Sequence, residues 1–174
     1  PHCESCSACT SVRIPIDDFA PSRTQRKLIN RNQDLTLRLR PAEFDEQHYA
    51  LYARYIRARH ADGDMFPPSR EQYRMFLAQT HPFAKLLEFR LGDHLMAVAA
   101  TDLLSHGLSA IYTFFDPDPL SERRSLGSFA ILSQIELARK RRLPHVYLGY
   151  WIRACQKMRY KQDYQPLEYL SGGR

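Results

Sequence analysis

Residues 112–129 read Tyr112-Thr-Phe-Phe-Asp-Pro-Asp-Pro-Leu-Ser-Glu-Arg-Arg-Ser-Leu-Gly-Ser-Phe129. The apolar run Leu108–Phe115 reads as a strand that ends at Asp116, because Pro117 and Pro119 cannot continue its ladder. From Ser125 the period changes. Phe129, Leu132, Ile135 and Leu137 fall on one side of a helix that runs to Arg142. Its last four residues, Arg139-Lys-Arg-Arg142, suit the negative end of the helix dipole, and Pro144 stops it. Upstream, Leu86–Leu91 and Leu95–Leu104 are two further apolar runs. Gly92-Asp93 and Ser105-His-Gly107 separate the three runs with hairpin chemistry. Downstream, His145–Ile152 reads as a buried strand. The predicted order is meander, loop, helix, strand: an α/β fold with a mixed, largely antiparallel sheet and flanking helices.

The rest of the chain fits around that unit. Residues 11–16 alternate and predict a short strand. Ser22-Arg-Thr-Gln25 has capping-box spacing and opens a helix to about Asn32. Thr36–Arg40 alternates again and ends at Pro41. Residues 42–60 predict a helix through Phe44, Tyr49, Tyr52, Tyr55 and Ile56. Gly63, Pro67 and Pro68 break it, and Ser69-Arg-Glu-Gln72 opens another. His60, Asp62 and Asp64 are metal-friendly residue types, but a turn closed by Asp side chains explains them more simply.

The chain has 174 residues, 44% hydrophobic and 25% charged. That is one domain, or one with a small appendage, and it excludes wholesale disorder. No apolar run approaches the ~20 residues of a membrane span. The opening Pro-His-Cys-Glu-Ser-Cys has no signal-peptide pattern. Net charge is +6. The excess is local: eight Lys/Arg and no acid lie between Arg139 and Lys161. Tyr147, Tyr150, Trp151, Tyr160 and Tyr164 interleave with or follow them. Cations for phosphates beside aromatic faces for unpaired bases suit a single-stranded RNA end; core packing and a solvated face are the plainer readings. Cys3, Cys6 and Cys9 form C-x-x-C-x-x-C. That spacing suits a reducing compartment and convergence on Zn²⁺ or an iron–sulfur cluster, with Cys155, His2 or a residue outside the chain as fourth ligand. The alternative is three reduced thiols packing a turn.

The strand–loop–helix unit is similar to that of GNAT-like acyltransferases. There a helix N-terminus and backbone N–H groups face a phosphate-bearing acyl donor. Their loop reads R/Q-x-x-G-x-G/A. Here Arg124-Ser-Leu-Gly-Ser-Phe129 matches at Arg124 and Gly127 but places Phe129 at the last small position, which counts against coenzyme A.

Longer motifs narrow the resemblance. Tyr112–Asp118, Ser125-Leu-Gly127, Tyr147-Leu-Gly-Tyr-Trp-Ile152, Cys155-Gln-Lys-Met-Arg-Tyr-Lys161 and Tyr164-Gln-Pro166 resemble the arginyl-tRNA–protein transferase family. Cys3–Cys9, Ser11-Val-Arg-Ile-Pro15, Pro21-Ser-Arg23 and Arg59-His-Ala-Asp-Gly-Asp-Met65 are similar to its bacterial branch, the aspartate/glutamate leucyltransferases. The resemblance implies a soluble cytoplasmic enzyme of the N-degron pathway. Such an enzyme moves an amino acid from aminoacyl-tRNA to the N-terminal amine of a protein beginning with Asp or Glu. It implies leucine as the donor's amino acid, with arginine as the alternative. It also implies a Cys-bearing N-terminal part, residues 1–40, and a GNAT-like aminoacyl-transferase domain, residues 41–174. Family members carry a further segment ahead of the position of Pro1, so the N-terminal part is expected to be truncated at its start. Some eukaryotic relatives bind an iron–sulfur cluster through cysteines partly in that segment. An acetyl-coenzyme A-dependent acetyltransferase and a non-enzymatic zinc-containing RNA-binding module are the rival readings.

The chemistry needs no cofactor. The donor ester is already activated, and an α-amine of pKa about 7.7–8.0 is partly neutral at pH 7. Orientation then supplies most of the rate. The expected roles follow. Asp116, with Tyr112 near it, orients the amine. Backbone N–H groups of Ser125–Gly127 face the donor's terminal adenosine or the oxyanion. Arg124 or Lys157 pairs with the acceptor's carboxylate. Tyr150 hydrogen-bonds the reacting carbonyl. Arg23, Arg26, Lys27, Arg159 and Lys161 meet tRNA phosphates.

Overall fold

The computed structural model describes residues 8–170. Along the chain run β1 (Thr10–Pro15), α1 (Arg23–Arg31), β2 (Thr36–Pro41), α2 (Glu46–Arg59) and α3 (Arg70–Leu77). The meander follows as β3 (Ala84–Leu91), β4 (His94–Leu104) and β5 (Gly107–Phe115). Then come the short α4 (Pro119–Glu122), the long α5 (Leu126–Lys140), β6 (His145–Trp151), a 3-10 helix (Gln156–Asp163) and β7 (Glu168–Tyr169). The strands form one sheet in the order β2-β3-β4-β5-β6-β1-β7. Every pairing with a register is antiparallel except β5 with β6. Residues 1–40, read from sequence as a separate part, supply β1, α1 and β2 to this same sheet and its outer layer.

Local chemistry sets the boundaries. Ser22 and Gln25 form the reciprocal capping box that opens α1. Helix α2 starts at Glu46 and not at residue 42, because the Asp45 carboxylate accepts from the Gln47 and His48 N–H groups and fixes the first turn there. Gly92 turns the β3–β4 hairpin at φ 58, a conformation that costs glycine nothing. Helix α5 ends at Lys140, two residues early, and Arg142 follows at φ 56. Three elements had no periodic signature: α4, the 3-10 helix and β7.

The sheet is covered on both faces. On one, Leu51, Tyr52, Tyr55 and Ile56 of α2 and Tyr73 and Leu77 of α3 pack on Leu86, Val98 and Phe114. On the other, Leu126, Phe129 and Ala130 of α5 pack on Leu87, Phe89, Ala97 and Ala99. Further along α5, Ile131, Leu132, Ile135 and Ala138 meet Val12, Ile14, Val146 and Leu148. Helix α5 therefore underlies both halves of the sheet, and the seam between β5 and β6 runs across its middle.

Candidate active site

The parallel pairing of β5 with β6 lasts only two steps, Leu108 with Val146 and Ser109 with Tyr147. Two features bend β6 away beyond that point. Val12 pairs with Gly149 and Arg13 with Tyr147, so Leu148 is the extra residue of a bulge. Gly149 sits at φ 72. Bulges bend a strand and re-aim a side chain, and here Leu148 faces the opening. From Ala110 onward β5 is laddered to β4 alone.

The gap opens into a cleft of about 460 Å³. Residues Ala110–Thr113 and Phe115 of β5 form one wall, and Leu148 of β6 lies across from them. Helix α5 contributes Gly127, Ser128, Ile131 and Gln134. Positions 127, 131 and 134 are i, i+4 and i+7, one stripe of a helix. Tyr55 and His60 enter from the end of α2, and Lys157 and Tyr160 from the 3-10 helix.

The head of α5 is open. Ser125 adopts a left-handed conformation, φ 47 and ψ 51, and its side chain caps nothing. The first backbone bond into the helix runs from the Phe129 N–H to the Ser125 carbonyl. The Leu126, Gly127 and Ser128 N–H groups therefore precede the first helical donor and have no acceptor within the helix, at the end where the dipole favours negative charge. A Cβ on Gly127 would meet the Phe115 ring at 3.5 Å, so a bare backbone keeps this end of the cleft open.

The electrostatics are those of a neutral base beside a cation. Burial lowers the pKa of His60 below the ordinary histidine value, and the Lys157 charge lowers it further. His60 Nε2 lies 3.4 Å from the Tyr55 hydroxyl. Burial raises Tyr55, Tyr112 and Tyr160, which keeps all three phenols protonated. The Tyr112 hydroxyl and both amide atoms of Gln134 are buried without a hydrogen-bond partner. Among the described lining residues there is no Asp or Glu.

Of the residues expected from sequence, the structure brings together Tyr112, Gly127 and Lys157, with the Ser125 backbone at the head of α5. Asp116 is elsewhere. It is 7% exposed. Its Oδ2 accepts from His94 at 2.8 Å and Arg54 at 3.3 Å, and its Oδ1 from the Asp118 N–H at 3.2 Å. With both oxygens engaged, it ties the end of β5 to β4 and α2, and it does not line the cleft where the amine-orienting role was expected. Arg124, expected as an acceptor contact, also lies outside the cleft lining. It makes two 2.8 Å bonds to Asp34 and pins the α4–α5 turn to the α1–β2 turn. Tyr150 is 47% exposed and lies outside the cleft lining. Its carbonyl accepts from the Lys161 amine. Lys161, expected at tRNA phosphates, is buried, burial lowers its pKa, and its bond to the Tyr150 carbonyl holds the 3-10 helix to β6. Arg23, Arg26 and Lys27 on α1 and Arg159 on the 3-10 helix are exposed. Cys3 and Cys6 lie outside the described residues. Cys9 is a half-buried free thiol, and among the described residues no three His, Cys, Asp or Glu side chains converge as a metal site.

Sequence reasoning missed Tyr55, Gln134, Ile131 and Leu148 as site residues, placed His60 in a turn, and read Tyr160 as one of the aromatics beside the basic tail, open to base stacking or to core packing. A signal existed for Gln134: it is a large polar residue on the Gly127–Ile131 stripe of a helix whose other buried side chains, apart from the small Ser133, are apolar.

Fold and site define an α/β protein with an open cleft at a splayed pair of strands, rimmed by a neutral histidine and a cation. The family described as "Arginine-tRNA-protein transferase, C terminus" matches residues 47–171, and "Arginine-tRNA-protein transferase, N terminus" matches residues 1–27. The chain belongs to the arginine-tRNA-protein transferase family. It is 72% identical over 172 residues to an aspartate/glutamate leucyltransferase of Chromohalobacter salexigens, covering 99% of this chain and 70% of that one. It is 53% identical over 174 residues to an aspartate/glutamate leucyltransferase of Pseudomonas savastanoi pv. phaseolicola, covering 100% and 73%. Among solved structures, one similar protein is the C-terminal domain of a protein described as a lysylphosphatidylglycerol synthetase from Agrobacterium fabrum. Its TM-score is 0.62 at 13% identity, over 83% of this chain and 47% of that one. Another is L-PGS from Bacillus licheniformis, with TM-score 0.57 at 11% identity, over 87% and 49%. At such identities the likeness concerns the fold. Among the described residues no helix is long and apolar enough to cross a membrane.

Proposed function

We propose that this chain transfers leucine from leucyl-tRNA to the N-terminal amine of proteins that begin with Asp or Glu, with the cleft between β5 and β6 as the transfer site. The splayed parallel pair above an open helix head supports reading the fold as GNAT-like. The observation that carries the donor assignment is the lining. Ala110, Ile111, Phe115, Ile131 and Leu148 offer an apolar slot, no carboxylate stands among the described lining residues to pair with a guanidinium, and Lys157 would repel one. A leucyl side chain suits that slot and an arginyl side chain does not. The names of the near full-length relatives agree.

The chain's own groups can be assigned in sequence. Exposed Arg23, Arg26, Lys27 and Arg159 meet phosphates of the donor. The N–H groups at the head of α5 face the ester end. Lys157 pairs with the acceptor's Asp or Glu carboxylate and holds its amine at the cleft mouth. His60, neutral at pH 7, takes a proton from the acceptor's α-ammonium. The free amine attacks the ester carbonyl carbon. Negative charge collects on the carbonyl oxygen, and the carbon–oxygen bond to the ribose breaks. The attacking nitrogen gives up a further proton, the ribose oxygen takes one up, and an amide remains.

The test is transfer of labelled leucine and labelled arginine from their charged tRNAs to peptides beginning Asp, Glu or Ala. Leucine transfer confined to the Asp and Glu peptides is expected. Arginine transfer would overturn the donor assignment, and transfer to the Ala peptide would overturn the role of Lys157.

A further inference from the structure

Gln134 is 1% exposed, and neither its amide oxygen nor its amide nitrogen has a hydrogen-bond partner. A buried primary amide left wholly unpaired is costly, and native structures rarely tolerate one. This one lines the cleft two helical turns beyond Gly127, about 10 Å along α5. The Tyr112 hydroxyl, also buried and also unpaired, lines the same cleft. Between them they offer two acceptors and two kinds of donor on the walls of a largely apolar cleft. An α-aminoacyl ester presents the complement: an ammonium that only donates, one carbon away from a carbonyl that only accepts.

We propose that Gln134, with the Tyr112 hydroxyl, reads the free α-ammonium of the donor's aminoacyl group, so that the cleft takes esters with an unblocked amine and refuses N-acylated ones. This rests on the transfer function proposed above. Gln134 accepts from the ammonium through Oε1 and donates through Nε2 to the carbonyl, and the Tyr112 oxygen takes a second ammonium proton. An N-acyl group removes the charge and two of the three protons, and adds bulk where the amide sits. Gln134 is a specificity-determining residue in this arrangement and itself forms and breaks no covalent bond.

Two readouts separate this role from a merely structural one. The first is binding of the stable amide 3′-(L-leucylamino)-3′-deoxyadenosine and of its N-acetyl derivative, by calorimetry. The second is thermal unfolding. In the parent the free-amine analogue is expected to bind about ten- to a hundredfold more tightly, the worth of one or two hydrogen bonds to a charge. Gln134→Met, matched in size, is expected to abolish that preference and to raise the KM for leucyl-tRNA more than it lowers kcat. Its Tm is expected to hold or rise, because it removes an unpaired polar group. Gln134→Glu keeps an acceptor and is expected to restore the preference. A Gln134→Met protein that still prefers the free amine, or a parent that binds both analogues alike, overturns the proposal. A parent that discriminates between the analogues but transfers nothing from leucyl-tRNA overturns the function proposed above and leaves the role of Gln134 standing.

Discussion

Glu88 supplies the sharpest test of what holds the site in place. It sits on the α2 face of β3, fully buried, where its neighbours Leu86 and Val98 are apolar. Its oxygens accept from His48 Nε2 at 2.8 Å and Arg90 Nε at 2.8 Å, and Arg40 stands 3.6 Å away. Arg90 also reaches Gln47 at 2.6 Å. The cluster thus fastens the first turn of α2, and that helix carries Tyr55 with His60 at its C-terminal cap. Glu88→Ala leaves the Arg90 guanidinium, itself only 12% exposed, without its carboxylate. Breaking a buried pair by removing one partner costs about 3–5 kcal/mol. For 174 residues the unfolding entropy is about 0.37 kcal/mol/K, so Tm should fall by about 8–14 °C. Urea unfolding measures the loss directly. The pH dependence has a definite sign. Burial pushes the Glu88 pKa up, but the bonds and charges of Arg90 and His48 pull it further down, so the folded value lies below the ordinary one. Its contribution is therefore complete above the usual carboxylate range and lost as pH falls through the depressed folded value. Glu88→Gln should flatten that part of the acid limb. A loss under about 1 kcal/mol in Glu88→Ala, the value of an exposed pair, would refute the claim that this cluster anchors α2.

Three further outcomes are expected. His60→Gln should lower kcat/KM by about tenfold at pH 7, since roughly a tenth of an α-amine is already neutral there, and the deficit should close above pH 8; a deficit constant with pH would assign His60 to packing. In the parent the acid limb of kcat/KM should fall below the ordinary histidine value and move toward it in Lys157→Met, because that charge lowers the His60 pKa; an unmoved limb would remove His60 as the titrating group. Asp116→Ala should cost about 1–3 kcal/mol of stability by freeing the end of β5, with kcat retained well below the transition; lost kcat with unchanged stability would return Asp116 to the chemistry.

The periodic elements were legible because their packing is. The meander, α1 with its Ser22–Gln25 box, α5 and β6 all show alternation or helical spacing that the layers then bury. The 3-10 helix at Gln156–Asp163 showed none, because its order comes from distant partners. Lys161 donates to the Tyr150 carbonyl, Gln25 to the Asp163 carbonyl, and Tyr164 to the Ser128 carbonyl. Those contacts bring Lys157 and Tyr160 over the cleft, so half of the cleft's polar rim depended on pairings that local sequence does not encode. The engagement of Asp116 was hidden for the same reason. Beside Pro117 it looks like a free carboxylate at a strand end, and its partners Arg54 and His94 lie 62 and 22 residues away.

Polar residues inside apolar patterns are where the sequence was most informative and least decisive. Glu88 in β3 and Gln134 in α5 break their patterns in the same way, each a polar side chain at a position the packing buries almost completely. The fold answers Glu88 with two hydrogen-bonding partners and a nearby third cation, and that residue belongs to stability. It answers Gln134 with none, at the wall of a cleft. A protein that keeps a buried amide unpaired bears the desolvation cost in its free state. That cost is recovered only when something polar enters the cleft, which is why Gln134 belongs to the donor and not to the core.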